Sequence, residues 1–138
     1  MNLAHLLAGI NWLAVVVATV IAFAVGATWY SKTMFGRAWM EEVGLTEESA
    51  KSANMPLMFG GTFVLQFLAM TALDAILGSD STWRNGLELG LLIGVFWVAT
   101  AYGITYLFEQ RTMRLFMINA GYYVVLFAVV GTLLGYWH

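Results

Sequence analysis

Four stretches of this chain carry almost no charge over the length needed to cross a bilayer's hydrocarbon, about 20 residues at roughly 1.5 Å rise each. They are Ile10–Tyr30, Leu57–Leu77, Leu87–Phe108 and Leu115–Tyr136, and only Asp74 and Glu88 interrupt them, each near one end. Lipid offers no partner to an unpaired amide or carbonyl, so each stretch must close its hydrogen bonds internally and becomes a helix. The connections are short except the first, residues 31–55. The expected fold is therefore all-α: a polytopic membrane protein of one domain, residues 1–138, built as a four-transmembrane-helix bundle in up-down order. Composition agrees, because 10% charged residues cannot cover a soluble surface that ordinarily carries about a quarter. A net charge of -2 argues against nucleic acid as partner, which needs a basic face. The absence of cysteine removes disulfides, thiolate nucleophiles and thiolate metal sites together.

Basic residues accumulate in cytoplasmic loops. Lys32, Arg37, Lys51, Arg111 and Arg114 fall on the side of the first and third connections, and Arg84 alone falls opposite. Both termini are thus expected outside and the connection between helices one and two in the cytoplasm. Met1–Gly9 has no Lys or Arg, which argues against a cleaved signal peptide. Trp29 and Tyr30 come at the end of the first apolar run, where amphipathic rings suit the headgroup region, and Lys32 and Arg37 follow as the first groups in the anionic interface. Trp12, Trp83 and Trp137 mark the other interface. In Thr33–Glu42 the residues Met34, Phe35, Ala38 and Trp39 share one face, as in a short amphipathic helix lying in the membrane plane, with Gly44 as its stop. A second short helix follows, N-capped by Thr46, with Glu47 four residues before Lys51. Pro56 suits the first position of the next span.

Helices meet in lipid through small residues and polar contacts. Ala14, Ala18, Ala22 and Gly26 recur every four residues on helix one. Gly86, Gly90 and Gly94 do so on helix three, and Gly131 and Gly135 repeat the spacing on helix four. Most of these contacts are expected within the chain, with one stripe left for a homodimer.

Polar groups in hydrocarbon are costly and raise a functional hypothesis. Asp74, Glu88 and Asn11 fall toward the outer end, with Asp80, His5 and His138 nearby, and together suggest an outward-facing ion or proton site. Duller roles compete: Glu88 with Asn85 as a capping-box variant beside Arg84, Asp74 paired with Arg84, and Asn11 in an interhelical hydrogen bond. On the inner half, Gln66, Asn119 and Tyr102, with Tyr106, suggest a polar path or buried interhelical contacts. Trp97, near midplane, reads as a core filler or a ligand wall. No nucleophile elbow, zinc-binding His pair or phosphate loop is present, so the chain is not expected to be an enzyme, and no cofactor or metal is implied.

The stretches "INWLAVVVATVIAFAVGATWYSKTMFGRAWMEEVGLTEE" and "MINAGYYVVLFAVVGTLLGYW" resemble a family of small bacterial integral membrane proteins known as domain of unknown function 1761. Its most specific parts are Asn11-Trp12, Trp29-Tyr30-Ser31 with Phe35-Gly36 and Ala38-Trp39, and Asn119-Ala120-Gly121-Tyr122. Members usually carry a proline shortly after the Trp-Tyr-Ser stretch, where this chain has Lys32. The resemblance implies four spans in a bacterial inner membrane and brings no activity, substrate or catalytic residue. Two functions remain. The favoured one is a non-catalytic membrane subunit or scaffold that self-associates through its small-residue faces or holds a membrane-protein partner. The alternative is a small dimeric transporter or channel for a cation, proton or small amphipathic solute, using Asp74.

Overall fold

The computed structural model describes residues 2–138. Side-chain caps define where most helices begin. Asn2 opens α1 (Leu3–Ala8) and Asn11 opens α2 (Trp12–Trp29), each side chain accepting from a backbone amide of the first turn. Thr46 caps α4 (Glu47–Lys51) in a reciprocal box with Ser49, and Asn54 caps α5 (Met55–Leu77) with Pro56 at its second position. Thr82 and Thr112 cap α6 (Trp83–Ile93) and α8 (Met113–Tyr136). Between α4's predecessor α3 (Gly36–Val43) and Thr46 the chain turns at Gly44, whose φ of 76° is left-handed and suits glycine. α6 runs on through a π-helical segment, Gly94–Ala99, into α7 (Thr100–Glu109).

Among the described residues four helices are long and apolar enough to cross a membrane: α2, α5, the continuous Trp83–Glu109 and α8. The chain is a multi-pass membrane protein. One element is additional and two expectations need correcting. α1 was not foreseen. Helix three begins a turn earlier than its apolar run, so Asn85 pairs with Thr82 in the capping box and Glu88, exposed, takes no part. Trp97 is neither core filler nor ligand wall, since it is 63% exposed on the outer face of the π-helical segment.

α8 is the centre of the bundle. Of its apolar window 44% is buried, against 6% for the third span, because α2, α5 and α6 all lie against it. The small residues make this possible. A Cβ added at Gly86 would strike the Gly131 carbonyl, and one at Gly131 the Gly86 carbonyl; Gly90 faces the Phe127 carbonyl and Gly135 that of Thr82 in the same way. A Cβ on Gly94 would lie 2.9 Å from the Val124 Cα. The backbones of α6 and α8 are therefore in direct contact, as close helix packing in lipid requires. On α2, Ala14, Ala18 and Ala22 are wholly buried among Met70, Leu73, Leu126 and Val130, and Gly26 abuts the Tyr122 ring. Every stripe that the sequence offers for self-association is engaged inside the chain.

After the π-helical segment the third span loosens its hold on α8, and Leu107 and Phe108 turn outward. That divergence, together with the end of α2 and the start of α5, leaves room on the side of the long connection.

Candidate functional site

Two polar clusters lie at opposite ends of the bundle. At the end that holds α1 and the last turn of α8, Asp74 is fully buried. Its Oδ2 accepts from the Asn11 backbone amide at 2.8 Å, while Asn11 donates its side-chain amide to the Trp137 carbonyl at 3.1 Å. His138 Nε2 stands 2.9 Å from Asp74 Oδ1, with its side chain only 4% exposed. That distance suits an ion pair when the imidazole is protonated, but the nitrogen is off the line of a hydrogen bond, and Oδ1 has no aligned donor. Asn11, Asp74 and His138 thus bind α2, α5 and α8 together. The structure does not bring Glu88, Asp80 or His5 to them, and Arg84 lies over the Trp83 ring instead of pairing with Asp74 or Glu88. Among the described residues no group of three His, Cys, Asp or Glu side chains is placed to hold a metal ion.

The second cluster begins with the Trp-Tyr-Ser turn. Phe35 and Gly36 donate their amides back to the carbonyls of Trp29 and Ser31, both at 3.0 Å, and a Cβ on Gly36 would strike the Tyr30 carbonyl. Only glycine closes this turn without strain. It seats α3 under the bundle and turns the belt residues inward: Trp29 Nε1 donates to the Ile118 carbonyl at 2.9 Å, and Phe35 packs on the Trp29 ring with centroids 4.7 Å apart. Tyr30 Oη donates to Asn119 Oδ1 at 2.7 Å, and Asn119 Nδ2 donates to Tyr106 Oη at 2.7 Å. Trp29 and Tyr30, assigned by their order to the headgroup belt, thus have specific partners.

Behind that turn lies an open-sided chamber of about 530 Å³, within the roughly 300–1,000 Å³ typical of small-molecule sites. Tyr30, Trp39, Tyr102, Tyr122 and Tyr123 supply its rings, Phe23 and Phe59 its apolar wall, and Gln66, Asn119 and Thr62 its polar points. The tyrosines brace one another, Tyr102 on Tyr123 at 5.4 Å and Tyr30 edge-on to Tyr122 at 5.3 Å. Gln66, at the middle of α5, donates through Nε2 to Tyr122 Oη at 3.1 Å. Its Oε1 is buried and has no partner, a state that costs about 1–3 kcal/mol when nothing fills it. Gln66, Asn119 and Tyr102, the inner polar set, therefore share one chamber; Asp74 is not part of it. Sequence reasoning missed Tyr30, Tyr122, Tyr123 and Trp39 as lining. The recurrence of tyrosine at 102, 106, 122 and 123 was the available signal.

No charged side chain lines the chamber. Lys32 Nζ meets Glu47 Oε1 at 2.6 Å, and Arg114 reaches Glu41 at 3.2 Å and Glu42 at 3.6 Å. The hydrogen bond and charge of Lys32 hold the Glu47 carboxyl below its ordinary range. Both partners are well exposed, so this tie positions α4 and adds little stability.

A family model described as "Protein of unknown function (DUF1761)" matches residues 13–135. No curated protein and no solved structure matches the chain.

Proposed function

Since the chain belongs to the DUF1761 family of proteins of unknown function, which has no chemistry to lend, we propose from its own geometry that it is a non-enzymatic membrane carrier whose tyrosine-rich chamber binds a small amphipathic solute. The observation that supports this most is the buried, unpartnered Gln66 Oε1 inside a chamber of ligand size. The lining offers phenols, amides and a threonine, and no carboxylate, imidazole or amine. Such groups orient a ligand and offer no nucleophile with its base. Five of the six basic residues lie on the chamber's side, so the positive-inside rule puts the chamber in the cytoplasmic half of a bacterial inner membrane, with both termini outside. Scaffolding through the small-residue stripes finds no support, because each stripe is covered within the chain. Self-association would need another face.

Ala27 lines the chamber yet is exposed, so Ala27→Trp should fill the space without touching the core. The test is to take wild type and Ala27→Trp from their own host in lipid particles and compare co-purifying small molecules by mass spectrometry. A solute enriched in wild type by about tenfold or more, and lost in the variant, is the expected result. Identical profiles would remove the proposal.

A further inference from the structure

The chamber does not end at Gln66. A narrower apolar cavity of about 170 Å³ continues from it, between α5 and α8, and shares Thr62, Gln66 and Tyr123 with the chamber. Its other walls are aliphatic or aromatic, Leu65, Ala69, Met70 and Leu126 among them. Its mouth faces outward, since Leu65 is 69% exposed, in the gap where α5 has little contact with the third span. On a membrane-spanning helix that face meets lipid chains.

On the reading of the chamber as a solute site, we propose that its occupant is a neutral single-chain amphiphile with a hydroxyl-bearing head, which enters sideways from the bilayer. The chamber, with its polar points, takes the head and the first part of the chain, and the narrower apolar cavity is the passage through which the rest of the chain reaches the lipid. The head is neutral because no charged side chain lines either cavity, and a carboxylate or phosphate buried there would lack the cationic partner it needs. The basic groups Lys32 and Arg114 are paired with Glu47, Glu41 and Glu42 and line neither cavity. The head carries a hydroxyl because Gln66 leaves one end of its amide open, and a hydroxyl both donates and accepts. It satisfies that amide in either orientation. The tail runs past Ala69, where a methyl group leaves the passage clear.

Binding of tritiated 1-monooleoylglycerol to the protein in lipid nanodiscs, with empty nanodiscs as background, tests this. One molecule per chain is expected, displaced by unlabelled 1-monooleoylglycerol at a concentration at least about tenfold lower than by oleate or by benzyl alcohol, which has the hydroxyl but no tail. Ala69→Phe should abolish retention, and the nearly isosteric Gln66→Met should weaken it about tenfold, the loss of roughly one hydrogen bond. Displacement by benzyl alcohol as good as by the lipid, with Ala69→Phe indifferent, would overturn the tail and leave the solute chamber standing. Preference for oleate would overturn the neutral head. No specific binding, alongside identical co-purified molecules in wild type and Ala27→Trp, would remove both readings. The comparison of displacers needs only the wild-type chain, so it decides the matter even if a variant fails to fold.

Discussion

Gly131→Leu is expected to dismantle the bundle, with a loss of about 3 kcal/mol or more, at or beyond the upper end of ordinary overpacking. The obstacle is the Gly86 carbonyl. A side chain would turn aside, but backbone of a packed helix cannot, so α6 must move away from α8 along the whole seam from Thr82 to Val124. In a thermal melt followed by near-ultraviolet circular dichroism, the variant should show no cooperative transition in a detergent where wild type does. Gly60→Leu is the matched control, because a Cβ there meets nothing within 4 Å; it should melt like wild type. Equal melting of both variants would mean that the α6–α8 contact does not hold the fold.

The second large effect is expected at Asp74. Asp74→Leu leaves the Asn11 amide without its acceptor and His138 without its neighbouring carboxyl, and should cost about 3 kcal/mol. Asp74→Asn keeps an acceptor for the Asn11 amide and should cost only about 1 kcal/mol. Hydrogen exchange at the start of α2 reports the difference: Asn11 amide protection should vanish in Asp74→Leu and persist in Asp74→Asn. Retention of 1-monooleoylglycerol should be unchanged in Asp74→Asn, since Asp74 lines neither cavity. A variant that stays folded and loses retention would make Asp74 part of the solute path, and the clasp would not be its main role.

The spans were legible because lipid permits so few solutions. Twenty apolar residues in water could be core helix or strand, but without water each stretch must satisfy its own backbone, and the observed α2, α5 and α8 lie within two residues of their apolar runs at either end. Where the reading slipped, a local competitor decided. Asn85 had a capping partner on either side, and the Thr82 hydroxyl took it at 2.8 Å because α6 begins in the polar residues ahead of the apolar run. Asp74 was recognisable as a costly buried acid, but its partners were not. Asn11 is 63 positions away and offers a backbone amide, which no residue type announces. The chamber was hardest to see, because a tyrosine at a headgroup belt and a tyrosine lining a pocket are the same letter. The Gly36 turn makes the difference by carrying Trp39 and Tyr30 back under α8, and a turn of that kind is a contact between carbonyls and a missing Cβ. Gln66, Asn119 and Tyr102 were singled out one by one; only packing shows that they share a single space.

The π-helical segment Gly94–Ala99 sets the phase of everything after it. Such a segment houses one residue more than the α-helical path it replaces, and one residue turns an α-helix by about 100°. The same sequence wound as an unbroken α-helix would keep the glycine seam of α6 in register but carry every residue of α7 about 100° around the axis, taking Tyr102 off the chamber and Tyr106 off Asn119. The third span is thus two helices with independent duties joined by a one-residue offset: the first half fixes position against α8, and the second is aimed. A one-residue deletion elsewhere in that span would turn everything after it by about 100°, whereas one within Gly94–Ala99 would be absorbed as the segment closes to an α-turn, leaving the chamber's aromatic wall in place.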